Sequence, residues 1–94
     1  MSFKLQFQVA ALEEWRRLDG SVREQFKKKL SERLQVPRVP SAALHGMPDC
    51  YKIKLRSAGL RLVYRVDDDI VTVFVLAVGK RERNQAYDSA QQRL

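Results

Sequence analysis

Ninety-four residues, 45% hydrophobic and 31% charged, suffice for one small globular core but not for two, and the composition is not that of a disordered chain. Eighteen Lys and Arg against eleven Asp and Glu leave a net charge of +7, which favours a polyanionic partner such as nucleic acid or an anionic membrane surface. A single cysteine, Cys50, excludes an intrachain disulfide, and no apolar run approaches the ~20 residues that span a bilayer, so the expectation is a cytoplasmic chain outside the membrane.

The N-terminal "MSFKLQF" alternates, with Phe3, Leu5 and Phe7 on one face and Lys4 and Gln6 on the other, which predicts a short strand. Lys4, Gln6 and Gln8 also break any apolar stretch of signal-peptide length. Ala11, Leu12, Trp15 and Leu18 then recur at helical spacing, and Asp19-Gly20 supplies a stop. In "SVRE", Ser21 as N-cap and Glu24 three residues on make a capping box for a second helix. Val22, Phe26, Leu30 and Leu34 form its apolar stripe, and Lys27, Lys28 and Lys29 lie on its outer side. Pro37 and Pro40 end that helix, and "VPRVPSAALHGMPD" is an irregular connection where a functional loop can sit.

From Cys50 the period returns to two, and three strands are expected at about 50–56, 60–67 and 70–79. Ser57-Ala58-Gly59 and Asp67-Asp68-Asp69 mark the turns between them. The near-continuous run "IVTVFVLAV" predicts a central strand covered on both faces. The tail "RERNQAYDSAQQRL" is weakly helical, and its thin apolar face predicts loose docking. The whole is expected to be one α+β domain over residues 1–94: a mostly antiparallel four-stranded sheet, two N-terminal helices packed on it, and a short C-terminal helix.

The hairpin of "CYKIKLRSAGLRLVYRV" has a definite parity. Even positions of the first strand lie opposite odd positions of the second, and opposed side chains share a face. Lys52, Lys54 and Arg56 are therefore grouped with Arg61, Val63 and Arg65, while Tyr51, Ile53, Leu55, Leu60, Leu62 and Tyr64 face the helices. Two like charges ~5 Å apart repel by ~1–3 kcal/mol between bulk-water and surface dielectrics, and no acid interrupts the motif. A phosphate chain would relieve that repulsion. The alternative is a lysine-guarded surface against sheet-to-sheet aggregation, for which one or two lysines suffice. The next strand delivers Lys80, Arg81 and Arg83 to one end of the sheet, and Tyr87 follows one turn after Arg83, either to stack on a base or simply to pack the tail.

Other chemistry is poorly supplied. His45 is the only histidine, so no His–His or His–Glu ribonuclease pair can form within the chain. A His45–Cys50 nucleophilic pair, a metal site from His45, Asp49 and Cys50, and cation binding by the three aspartates are formally possible but weakly supported, and neither a metal nor a cofactor is expected.

"SVREQFKKKL", "HGMPDCYKIKLRSAGLRLVYRV" and "VFVLAVGKRER" closely resemble the RelE toxins of bacterial toxin–antitoxin modules, and the resemblance runs over essentially the whole chain. It implies a ribosome-dependent endoribonuclease that cuts messenger RNA in the ribosomal A site without a metal, by attack of the ribose 2′-hydroxyl. The expected products are a 2′,3′-cyclic phosphate and a 5′-hydroxyl. The implied catalytic set is Lys52, Lys54, Arg61, Arg81 and Tyr87, with Lys52 the base and Arg81 the proton donor to the leaving oxygen. Lys54 and Arg61 would hold the phosphate and Tyr87 align the nucleotide. Contacts to RNA or the ribosome are expected from Lys27, Lys28, Lys29, His45, Arg56, Arg65, Lys80 and Arg83, with His45 standing where close relatives carry arginine. The partners implied are the 70S ribosome with its messenger and ribosomal RNA and a RelB-like antitoxin that displaces the terminal helix. Operator DNA would be reached only through that antitoxin. A gyrase-poisoning toxin of the related ParE branch and a non-enzymatic RNA-binding module are the competing readings.

Overall fold

The computed structural model describes residues 2–94. In chain order the elements are β1 (Lys4–Phe7), α1 (Val9–Arg16), α2 (Gly20–Gln35), β2 (Cys50–Leu55), β3 (Leu60–Asp67), β4 (Thr72–Lys80) and α3 (Gln85–Gln92). The sheet runs β1-β4-β3-β2, so the apolar β4 is central, as its composition predicts. The sheet is mixed: β2–β3 and β3–β4 are antiparallel, while β1 returns parallel to β4. Among the described residues no helix is long and apolar enough to cross a membrane.

The helix starts differ from the expected ones by a few residues. The capping box at Ser21 is not used. Asp19 is the N-cap of α2, and its carboxylate accepts from both the Ser21 backbone N–H and hydroxyl. Those bonds hold the Asp19 pKa below the usual carboxylate value. Gln8 plays the same part for α1, its side-chain oxygen accepting from the Ala11 N–H at 2.9 Å.

Each face of the sheet carries its own core. On one face α1 and α2 cover Tyr51, Ile53, Leu55, Leu62, Tyr64, Val73, Val75 and Val78 with Ala11, Phe26 and Leu30. On the other, α3 and the loop before β2 bury Cys50, Val63, Leu76 and Ala77 beneath Ala86, Ala90 and Met47. The tail is therefore held more firmly than its thin apolar face predicts. Ala86 and Ala90 are buried, and α3 rides so close on β4 that a methyl at Gly79 would lie 3.5 Å from the Ala86 Cα. Arg93 then pins the end of α3: its guanidinium donates to Glu14 of α1 at 2.8 Å and to the Leu76 carbonyl at 2.9 Å. Glu14 also accepts the Val78 N–H.

An irregularity in β4 changes which side of the sheet its residues face. Val63 pairs with Ala77 but Tyr64 pairs with Val75, so Leu76 is an extra residue in β4, a bulge. Before it Val73 and Val75 face α1 and α2, whereas after it the odd-numbered Ala77 and Gly79 face α3.

Candidate nucleic-acid interface and active site

The hairpin parity holds. Lys54 pairs with Arg61, Lys52 with Val63 and Cys50 with Arg65, which puts these side chains on the α3 face. The connection is a one-turn 3₁₀ segment, Arg56–Ala58, closed by Gly59 in the left-handed region at φ 63°. Arg56 therefore belongs to the turn rather than to β2. The turn also fixes the neighbouring strand end, because the Arg81 N–H donates to the Gly59 carbonyl at 2.8 Å.

Around that turn Lys54, Arg56, Arg61 and Arg81 line a concavity of about 260 Å³ with Leu55 and Leu60. No carboxylate lines it, and none of the four cations forms an ion pair among the described residues. The repulsion has a visible effect. The Lys54 pKa is lowered, first by Lys52, then by desolvation, Arg61, Arg56 and Arg81.

Tyr87 reaches the same place from the first turn of α3. The Arg61 guanidinium lies over its ring, 4.8 Å from the centroid. Arg61 Nε and the Tyr87 hydroxyl are buried without a hydrogen-bond partner. Both atoms are donors left unsatisfied beneath the surface of the concavity. The chain arrives at Tyr87 through Arg83 and Asn84, both with positive φ (54° and 55°), a rare pair of left-handed non-glycine residues that turns β4 sharply into α3.

Lys52 lies one position outward. It lines a second concavity of about 290 Å³ at the open edge of β2, with Lys29, Arg33, Ser41, Ala42, Lys54 and Arg56. The five side chains expected to act together are thus divided: Lys54, Arg61, Arg81 and Tyr87 converge, and Lys52 touches the group through Lys54.

Several other expected contacts are dispersed. Lys27 is ion-paired with Glu24 at 3.2 Å and borders an apolar groove between β1 and α2, away from the hairpin. Lys28 is exposed, and of the three consecutive lysines only Lys29 adjoins the cationic face. Lys80 pairs with Leu60, and so falls on the opposite parity from Arg81. Arg83 is exposed in its left-handed turn. His45 stands exposed on a turn that folds back on the start of β2, where the Leu44 N–H donates to the Cys50 carbonyl, at the far end of the hairpin from Lys54.

That far end is built differently. Arg65 stacks on Phe74 at 5.5 Å and shares a concavity with Arg38, Asp49, Asp67, Asp68 and Asp69. Arg38, which sequence reasoning passed over, bridges Asp49 at 2.9 Å and Asp68 at 2.6 Å, ion pairs that hold its pKa raised. The three aspartates are thus a turn tied to a loop arginine, with Asp67 accepting from the Asp69 N–H.

Cys50 is buried and its thiol pKa is pushed up to about 11, chiefly by desolvation, while His45 lies exposed, so the pair is not arranged as nucleophile and base. Among the described residues no group of three or more His, Cys, Asp and Glu could hold a metal.

Sequence reasoning also missed Arg33. Its Nη1 donates to the Lys52 carbonyl at 3.1 Å and to the Tyr64 hydroxyl at 2.9 Å, and that hydroxyl in turn donates to the Pro37 carbonyl at 2.7 Å. Arg33 lies three residues beyond Leu30 beside the apolar stripe of α2, and only its spacing from Lys29 hinted that it faces the sheet edge.

Comparison with known proteins places this geometry. Residues 5–85 match the family of ParE toxins of type II toxin–antitoxin systems. The chain is 57% identical over 94 residues to the mRNA interferase toxin RelE of Escherichia coli K12, covering all of this chain and 99% of that protein. It is 48% identical over the same length to a putative RelE-like toxin protein of Escherichia coli. Among solved structures, free Escherichia coli RelE carrying two arginine-to-alanine substitutions superposes with a TM-score of 0.92 at 55% identity, covering 100% of this chain and 99% of that one. The toxin of the intact Escherichia coli RelBE toxin–antitoxin complex superposes at 0.84 with 60% identity, over 87% of this chain and all of that one.

Proposed function

The chain belongs to the RelE/ParE family of type II toxins and lies in its RelE branch, and on that premise we propose that it is an mRNA interferase, an endoribonuclease that halts translation by cutting messages on the ribosome. The observation that carries this reading is the uncompensated cation cluster at the hairpin turn, where Lys54, Arg61 and Arg81 converge without a carboxylate beside two buried, unpartnered polar atoms of Arg61 and Tyr87.

The mechanism follows from charge. Attack of a ribose 2′-hydroxyl on the adjacent phosphorus concentrates negative charge on the non-bridging oxygens, and fixed guanidinium and ammonium groups stabilise it as it develops. Arg61 Nε and the Tyr87 hydroxyl are donors with no protein partner to give up, and a small shift of the side chains over them brings them to the phosphate. The 2′-hydroxyl proton passes to the Lys52–Lys54 pair. The resemblance favours Lys52 as its acceptor, whereas Lys54 is the member whose charged form is destabilised, chiefly by Lys52. Arg81, at the edge of the concavity, faces the leaving 5′-oxygen and gives it a proton or its positive charge. With no matched acid–base pair near neutrality, orientation of the RNA must come from elsewhere, and the ribosomal A site supplies it.

A RelB-like antitoxin neutralises the toxin, and operator DNA is reached only through it. Lifting α3 would remove Tyr87 from Arg61, but first requires breaking the Arg93–Glu14 pair. The family model that matches is named for the ParE branch, whose members include gyrase poisons; the cation set and the whole-length identity to RelE favour the RNA reading.

The deciding experiment is induction of the chain in cells followed by mapping of message 5′ ends. Cuts should fall in phase with codons and vanish with Arg81→Ala. Cuts out of phase, or DNA breaks in place of RNA cuts, overturn the reading.

A further inference from the structure

We propose that the concavity at the outer edge of β2 is a second phosphodiester subsite, which takes the phosphate next to the cleaved one on the same RNA strand. The inference rests on the reading of this chain as a ribonuclease, and it assigns to binding Arg33, Ser41 and Lys29, side chains from α2 and the loop after it.

Five cations line this concavity (Lys29, Arg33, Lys52, Lys54 and Arg56) with the hydroxyl of Ser41, and no carboxylate lines it. None of the five forms an ion pair among the described residues. Compensation is available on the same helix, since Lys27 is paired to Glu24, so the bare face of Lys29 is not a consequence of a helix lacking acids. Arg33 is fixed rather than mobile: Nη1 is committed to the Lys52 carbonyl and the Tyr64 hydroxyl, and its carbon Cζ lies 5.8 Å from the Tyr64 ring centroid. That anchorage leaves the other guanidinium nitrogens as preoriented donors, the arrangement that suits phosphate oxygens.

Position selects a phosphodiester over an isolated anion. The two concavities share Lys54 and Arg56, so they adjoin across the end of β2. Lys52 and Lys54 are two residues apart on one strand face, a separation of ~6.8 Å, on the order of one nucleotide step. A strand whose scissile phosphate sits among Lys54, Arg61 and Arg81 therefore brings its neighbouring phosphate to Lys52, Lys29 and Arg33 without bending. Ser41 lies where it can meet a ribose hydroxyl.

The test needs no cleavage. A 2′-O-methyl dinucleotide, with one phosphodiester, and the matching trinucleotide, with two, are titrated into the purified full-length chain by NMR. The trinucleotide should bind roughly tenfold tighter, the worth of a charge-assisted phosphate contact. Lys29→Glu, an exposed helix position, should remove most of that gain while weakening the dinucleotide far less. Arg33→Lys keeps the charge but loses the fork, and should remove part of the gain in a protein whose melting transition shows that it is folded. On programmed ribosomes, Lys29→Glu should raise KM more than it lowers kcat. Equal binding of the two oligonucleotides by the unmodified chain overturns the subsite. So does a Lys29→Glu variant that weakens both alike, or one that keeps the trinucleotide gain and loses affinity only for message-free ribosomes, which would assign the concavity to ribosomal RNA. If Arg81→Ala leaves cleavage intact, the catalytic reading falls, and the oligonucleotide comparison still judges the subsite.

Discussion

The two ends of the β2–β3 hairpin both gather cationic side chains, two at the open end and four at the turn end, and treat them in opposite ways. At the open end Arg38 is clamped between Asp49 and Asp68, and Arg65 lies on the Phe74 ring within a concavity lined by four aspartates. At the turn end Lys54, Arg56, Arg61 and Arg81 have no acid among them. The same strands thus hold one neutralised cluster and one repulsive cluster. The first fastens the loop before β2 to the turn after β3; the second gives up stability for a strong positive field at one place. Basic residues on a sheet do not by themselves mark a site, and the absence of a counter-charge does.

The largest expected effect breaks this symmetry outright. Arg81→Ala should lower kcat for ribosome-dependent cleavage by about 10²–10³, the usual effect of losing one preorganised transition-state donor, whereas Arg65→Ala at the neutralised end should leave the rate within a few-fold. Quenched-flow cleavage of a programmed ribosome measures both. A comparable loss at Arg65 would mean that the two ends are not distinct in function.

Acidity provides the next contrast. The Lys54 pKa is lowered by its cationic neighbours, and the neutral amine is the form that accepts a proton. The cleavage rate should therefore rise with pH towards that lowered pKa. Lys52→Gln removes the largest cause of the depression, so the rising limb should move to higher pH while the maximal rate falls. A limb that stays in place rules out Lys54 as the group that sets it.

Stability should respond in the reverse sense. Arg38→Ala removes a two-carboxylate bridge between exposed groups and should destabilise by about 0.5–1 kcal/mol, with cleavage retained. Arg56→Gln removes one of the mutually repelling cations and should stabilise by a few tenths of a kcal/mol at low salt, an effect that fades as salt screens the cluster. Thermal melting at two ionic strengths reads both changes. A destabilising Arg56→Gln would show that the turn-end cluster is compensated by something other than solvent.

The turn-end half of this contrast is legible in the sequence; the neutralised end is not, since strand parity groups Arg65 with Lys54 and Arg61 and says nothing of Arg38. Alternation fixed which hairpin residues share a face, because one residue of slip would have buried Lys52 and Lys54. The apolar run 70–78 announced a strand covered on both sides. Local competition obscured the rest. Asp19 and Ser21 are both good caps, and only the chain path leaving α1 decides for Asp19. Lys80 and Arg81 read alike in sequence, and strand parity separates them. The three consecutive lysines look like one patch, but 100° of helix rotation per residue sends Lys27 and Lys29 to different surroundings. Arg33, Arg38 and the Glu14–Arg93 pair depend on contacts 11 to 79 residues apart in the chain, which no local pattern encodes.

The extra residue at Leu76 gives β4 its own reading frame. Upstream of it odd numbers face α1 and α2; downstream they face α3, and Arg81 is odd. Excising Leu76 would let Val75 and Ala77 follow one another in plain alternation opposite Tyr64 and Val63, and the arginine two steps past Gly79 would keep its side of the sheet. The bulge is thus a slack link that absorbs one surplus residue, whereas a second aliphatic residue inserted after Ala77 with no bulge to take it up would turn Arg81 away from Arg61.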